Sequence, residues 1–111
     1  MAYDEALAAR IRALTGDVPD VTEKKMFGGL AFLVCGNMAI AASGEGGILV
    51  RVDPAQSDEL VATTDAQVAE MRGRRMPGWL RVDADSLSTD ADLDRWTTIG
   101  TTFARSLPPK R

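Results

Sequence analysis

The residues of this sequence best suited to chemistry are cations and a tryptophan on its predicted strands. An arginine beside a tryptophan can stack a base, grip a phosphate or anchor a protein contact. Arg51, Trp79 and Arg81 are expected on the less apolar side of one sheet, on two different strands. With nearby cations they make up the candidate interface or anion-binding set: Lys24, Lys25, Arg51, Arg72, Arg74, Arg75, Trp79 and Arg81. The alternative, which the residues alone favour, is that arginine stems cover Trp79 and pair with carboxylates.

The composition excludes several kinds of catalytic and metal site. The sequence has no histidine and a single cysteine, Cys35, so one chain cannot form a Cys/His zinc site, a Ser-His-Asp triad, a Cys-His dyad or an internal disulfide. Cys35 follows an apolar segment without an adjacent base, and we expect an inert, partly buried thiol. No catalytic residue, metal or cofactor is predicted.

An acidic run near the C-terminus resembles the opening of a calcium-binding loop. Asp90, Asp92 and Asp94 have the required spacing, but Arg95 occupies the glycine position and Thr101 the glutamate position. We therefore expect these carboxylates to stabilise the positive N-terminal end of the last helix.

Length and charge indicate one soluble domain with an acidic total. The 111 residues are 45% hydrophobic and 26% charged, which is typical of a globular domain. The net charge of −3 argues against a domain that binds nucleic acid through its phosphates. A local basic patch is still possible, since residues 71–82 carry four arginines and no acid. No apolar run approaches a membrane span and no signal peptide is evident, so a cytoplasmic location is expected.

Hydrophobic spacing predicts a helix at each end of the chain. In the first, Asp4 caps a stripe of apolar residues that Gly16 and Pro19 bring to an end. In the last, Thr89 is the cap and Trp96 is expected to be buried in the core. The stripe of the last helix is Leu93, Trp96, Gly100, Phe103 and Leu107.

Between these helices the pattern predicts strands around one further helix. Residues 24–35 are interpreted as one bent strand with a bulge at Gly28-Gly29, in preference to two strands joined by a turn. A hairpin turn at Gly36-Asn37 leads to a strand at Met38–Ala42. The remaining predicted elements are a strand at Ile48–Asp53, a helix capped by Asp53 that ends near residues 62–64, strands at Val68–Arg72 and Trp79–Asp83, and a linker at Gly73–Gly78. The resulting order, α-βββ-α-ββ-α, indicates an α+β fold with a mostly antiparallel sheet and helices on one face.

Several strings stand out along the chain: KKMFGGLAF at 24–32, GNMA at 36–39, LVRV at 49–52, MRGRRMPGWL at 71–80 and the last helix with Trp96. Together, over a span from about Tyr3 to Pro109, they resemble the N-terminal domain of the TfoX/Sxy competence-regulator family. The resemblance implies a secretion-chaperone-like α+β fold and supplies no catalytic residues. Full-length regulators carry a second, helical C-terminal domain, and this chain stops at Arg111. We therefore expect a single stand-alone domain over residues 1–111.

These observations together predict a non-enzymatic regulatory or accessory interaction module. The resemblance implies a connection with transcriptional co-regulators of competence, the uptake of DNA. The expected partner is another protein or a second copy of the chain in a homodimer. A small-ligand or anion-binding domain that uses the Arg/Trp face is the second hypothesis. A nucleic-acid binder is third and an enzyme last.

Overall fold

The strands form one antiparallel sheet. Their order across the sheet differs from their order in the sequence at one place. The computed structural model describes residues 3–26, 28–44, 46–71 and 73–109. Within this part of the chain the sheet has six strands in the order β1-β2-β3-β4-β6-β5. Their bounds are β1 (Val21–Met26), β2 (Gly29–Val34), β3 (Asn37–Ala42), β4 (Ile48–Arg51), β5 (Gln67–Met71) and β6 (Arg74–Val82). The one departure follows a helix, because the chain leaves β4 through that helix and returns at the far edge before β6 fills the gap.

Helices α1 (Glu5–Leu14), α2 (Pro54–Thr63) and α3 (Asp90–Ser106) begin at the caps that the sequence predicts. The Asp4 carboxylate accepts hydrogen bonds from two backbone N–H groups of α1, and Asp53 accepts one from α2. Thr89 accepts the N–H of Asp92 and donates its hydroxyl to the Asp92 carboxylate. Each cap satisfies donors that the first helical turn leaves without a partner. The α+β class, the antiparallel sheet and the alternation of helices with groups of strands are confirmed. Four strands rather than three precede α2.

The main hydrophobic core lies between the helices and one face of the sheet. It contains Leu7 and Ile11 of α1 and Leu93 and Trp96 of α3, with alternate residues of the central strands. Trp96 is only 4% exposed, which confirms its predicted burial. Where α3 crosses β3, Gly100 lies directly against the carbonyl of Ala39.

The interpretation of Gly28-Gly29 as a bulge was wrong. Residues 21–34 form two strands, β1 and β2, in which Met26 is paired with Gly29. Gly28 lies in the turn between them with φ +73°, and Phe27 lies outside the described residues. A turn is possible because this glycine adopts a backbone conformation that other residues avoid.

Two further boundaries differ from those expected. The β2–β3 turn is centred on Cys35 and Gly36, whose φ angles are 51° and 83°, rather than on Gly36-Asn37. The predicted linker at 73–78 is mostly strand, because β6 begins at Arg74 and continues through the positive φ of Gly78. In the described part of the chain, no helix is long and apolar enough to cross a membrane.

Candidate functional site

The side of the sheet away from the helices carries a second, smaller hydrophobic cluster. Its buried members are the strand residues Ala31, Met38, Ala41, Leu49 and Ala69, and half-buried Met26, Leu33 and Trp79 pack against them. These residues alternate along the strands with those of the main core, so they point to the opposite side. We call this side the helix-free face.

One cross-strand row of the helix-free face has cations near its ends and small apolar residues between them. Strand register places Lys24 opposite Ala31, Ala31 opposite Ala41, and Ala41 opposite Leu49. Leu49 is opposite Arg81 on β6. Directly opposed residues share a face, so Lys24 and Arg81 enclose Ala31, Ala41 and Leu49.

Arg51 and Trp79 are opposed on β4 and β6 and form a stacked pair. The guanidinium carbon of Arg51 lies 5.2 Å from the centroid of the Trp79 ring and 5.6 Å from that of Phe103 on α3. Both distances lie within the range of cation–π attraction. The structure therefore brings Arg51, Trp79 and Arg81 together on neighbouring strands, and each is half-buried.

The remaining predicted cations divide between the two sides of the sheet. Lys24 and Arg74 belong to the helix-free face, since Lys24 is paired with Ala31 and Arg74 is in phase with Met76, the partner of Ala69. Lys25 is paired with the core residue Leu30, so it belongs to the helix side. The eight predicted residues are therefore not one surface, because neighbours on a strand point to opposite faces.

Arg75 lies on the helix side, and Arg72 lies outside the described residues. Arg75 is paired with Glu70 and lines a cavity of about 230 Å³ together with Ser57 of α2.

Sequence reasoning missed the apolar character of the helix-free face. It expected a less apolar side that meets water or another molecule, whereas Ala31 is 0% and Leu49 7% exposed. A signal was present, because β2 and β3 are nearly unbroken apolar runs of the kind found in strands buried on both faces.

An ion pair holds β1, the edge strand that carries Lys24, against α1. The Arg12 guanidinium donates two hydrogen bonds to the Glu23 carboxylate, at 2.6 and 2.8 Å. These bonds lower the pKa of Glu23 below its ordinary value and raise that of Arg12. Because α1 lies on the helix side, Glu23 points away from the helix-free face.

Residues 13–104 match the TfoX N-terminal domain. The chain belongs to the TfoX N-terminal domain family. The match includes every strand of the sheet and therefore the whole helix-free face. Comparisons with curated proteins and with solved structures give no match.

On its helix side this TfoX N-terminal domain has a cleft between α2 and α3. Near the start of α2, a cavity of about 340 Å³ is lined largely by apolar groups, among them Ile99 and Phe103. Near the end of α2, a more polar cavity of about 350 Å³ includes Asp65 and Arg95. Both are large enough for a small molecule.

The structure of this TfoX N-terminal domain provides no cluster of metal ligands within residues 3–26, 28–44, 46–71 and 73–109. Cys35 is half-buried, and its thiol donates a hydrogen bond to the Asp20 carboxylate at 3.7 Å.

Proposed function

We propose that this TfoX N-terminal domain is a non-enzymatic regulatory or accessory module that binds a protein partner through the helix-free face. The family connection with competence supports a role in transcriptional regulation of DNA uptake. The absence of histidine and the single cysteine support binding rather than catalysis.

One observation carries this proposal: the helix-free face combines a hydrophobic cluster with a stacked arginine–tryptophan pair. Half-buried Met26, Leu33 and Trp79 form the outer part of the cluster. Tryptophan and arginine are over-represented among the residues that dominate binding energy at protein interfaces. The other side of the sheet is already packed under helices, so a partner would add burial mainly at these three half-buried side chains.

The first test is Trp79→Ala in a quantitative pull-down from the native cell, with sedimentation to report self-association. We expect partner binding to weaken by about 2 kcal/mol or more, the magnitude typical of an interface hot spot. Tyr3→Ala is the matched control, because Tyr3 is a half-buried aromatic residue that packs against the main core instead. If the folded Trp79→Ala protein retains the same partners at the same level as the parent, the face does not mediate binding.

The cavity beside Ile99 and Phe103 favours a second candidate function, the binding of a small apolar ligand. Screening metabolites by thermal shift would test it, with Ile99→Trp as a variant that fills the cavity. A ligand that raises the melting temperature of the parent but not of Ile99→Trp would support this function. A ligand that stabilises both proteins equally would place its site elsewhere.

A further inference from the structure

A bulge in the sheet accompanies a cavity under the start of α2. The register of β5 and β6 shifts between Val68 and Ala69, which leaves residues 77–79 of β6 without partners on β5. The residues there favour a bulge, because Pro77 has no N–H to donate and Gly78 adopts a φ of +88°. Helix α2 packs against both strands, and a cavity of about 230 Å³ remains, which we call the bulge cavity. Its lining residues are Pro54, Ser57 and Asp58 of α2, Val68 of β5, and Arg75 and Pro77 of β6.

The bulge cavity has a buried hydroxyl group in its lining. Ser57 is 2% exposed, and its oxygen accepts the backbone N–H of Gly78 at 3.5 Å, a long hydrogen bond. Its own O–H group has no acceptor among the residues that the structure describes. Buried donors in folded proteins almost always have partners, because an unsatisfied donor bears the full cost of losing its water. The Ser57 hydroxyl is therefore available to an acceptor inside the cavity.

The lining of the bulge cavity also contains one cation and one anion. Arg75 and Asp58 are both exposed, and neither forms an ion pair with a described residue. A guanidinium group binds a carboxylate through two parallel hydrogen bonds, and a carboxylate likewise accepts hydrogen bonds from an ammonium group. The other lining residues, Pro54, Val68 and Pro77, are apolar. A ligand that uses all of these groups has a carboxylate, an ammonium group and an apolar side.

We propose that the bulge cavity binds a free α-amino acid with a small aliphatic side chain, such as valine. The volume is below the roughly 300–1,000 Å³ of sites for drug-sized molecules, so the ligand is small. Its carboxylate accepts hydrogen bonds from Arg75 and Ser57, and its ammonium group donates to Asp58. Its side chain packs against Val68. The site lies on the helix side of the sheet and is independent of the function proposed for the helix-free face.

The polar cavity near the end of α2 also contains both signs of charge, but its hydrogen-bonding groups are already used. The hydroxyl groups of Thr63, Thr64 and Ser86 in its lining all donate to other groups of the chain. Its two carboxylates, Asp65 and Asp92, each accept a hydrogen bond from a hydroxyl group. Among the described residues, the bulge cavity is therefore the better fit to an amino acid.

The test is isothermal titration calorimetry of the full chain with L-valine and two analogues that each lack one charged group. Isobutylamine lacks the carboxylate, and 3-methylbutanoate lacks the ammonium group. We expect valine to bind at least about tenfold more tightly than either analogue, because each analogue loses hydrogen bonds between charged groups. D-Valine should also bind more weakly, since it cannot place its carboxylate, ammonium group and side chain correctly at the same time.

Single substitutions should each remove one of the contacts. Arg75→Gln should reduce the advantage of valine over isobutylamine, and Asp58→Asn its advantage over 3-methylbutanoate. Ser57→Ala should weaken the binding of valine and 3-methylbutanoate but not that of isobutylamine. Arg74→Gln and Glu59→Gln are the matched controls, because they remove the same charges at adjacent residues outside the lining and should bind like the parent. Circular dichroism would establish that all five variants are folded.

The inference is wrong if valine does not bind, or if valine and its two analogues bind equally. Equal losses in Arg75→Gln and Arg74→Gln would reduce it to an effect of net charge. Valine binding that persists in Asp58→Asn and Arg75→Gln but is lost in Arg95→Gln would place the site in the polar cavity instead. The Trp79→Ala pull-down decides the partner-binding function separately from all of these outcomes.

Discussion

At the scale of single residues, Arg51 joins two layers of the molecule. Its guanidinium lies close to Trp79 on the sheet and to Phe103 on α3. Each such contact contributes about 0.5–1 kcal/mol where water has access. Arg51 therefore links Trp79 of the sheet to Phe103 of α3.

Trp96 is the side chain of α3 from which we expect the largest loss on truncation. Trp96→Ala should lower the free energy of unfolding by about 3–5 kcal/mol, because it removes a large side chain that is 4% exposed and leaves a cavity. Urea denaturation measures this loss. Thr98→Ala is the control on the same helix, where an exposed position should change stability by no more than about 0.5 kcal/mol. A loss below about 1 kcal/mol for Trp96→Ala would contradict its role in the core.

At Gly100, helix propensity and packing predict opposite effects of an alanine substitution on stability. Propensity alone predicts that Gly100→Ala stabilises α3 by about 1 kcal/mol. An added Cβ would instead overlap the Ala39 carbonyl, a backbone atom of β3. We expect a loss of about 1–3 kcal/mol in the free energy of unfolding, measured by urea denaturation. A gain in stability would mean that α3 can move away from the sheet.

At the scale of elements, the β2–β3 turn places a non-glycine residue at positive φ. Cys35 has φ 51° and is followed by Gly36 at 83°, so both central residues have the positive φ of a type I′ turn. Asn-Gly suits this turn better than Cys-Gly, because asparagine tolerates the left-handed region.

Cys35→Asn should therefore raise the free energy of unfolding, by up to about 1 kcal/mol. Cys35→Val should lower it, because a β-branched residue is strained at positive φ. Cys35→Ser should leave the fold and partner binding essentially unchanged, as expected of an inert thiol. Thermal melting of the three variants measures their order of stability. Equal stability for Asn and Val would show that the turn relaxes to another conformation.

The contact between α1 and β1 depends on pH through Glu23. Its pKa in the folded protein is lowered, chiefly by the hydrogen bond from Arg12. The stabilisation is therefore complete above the unfolded pKa of about 4.3 and is lost as the pH falls through the lower folded value. Arg12 stays protonated throughout this range.

We expect the difference in unfolding free energy between the parent and Glu23→Gln to shrink as the pH falls from about 5 to 3. Urea denaturation at several pH values measures it. Arg12→Gln should abolish the same pH-dependent component, because Glu23 then loses the bond that lowers its pKa. A difference that stays constant across this range would contradict the link to Glu23. High salt should also reduce the effect of this exposed pair.

At the scale of the whole molecule, the sheet separates two different surfaces. One side carries α1, α2 and α3 over the main core, with the cleft beside Phe103. The other carries the small hydrophobic cluster, and the charged residues of the described strands on that side are all cations. Lys24 and Lys25 illustrate the separation, since these adjacent residues of one strand belong to opposite sides of the sheet.

The sequence by itself determined the local elements and part of the candidate site. The Asp4, Asp53 and Thr89 caps and the apolar spacing predicted the three helices, because capping and helical periodicity depend on residues a few positions apart. Alternation along a strand likewise placed Trp79 and Arg81 on the same side.

Only the tertiary structure decided which strands lie next to one another and what covers each face. The pairing of Met26 with Gly29 decided between turn and bulge, because the local residues permit both. The position of β6 beside β4 brought Trp79 to Arg51, and α3 added Phe103 from more than fifty residues along the chain. Such contacts depend on how distant segments pack together, so no pattern of neighbouring residues determines them.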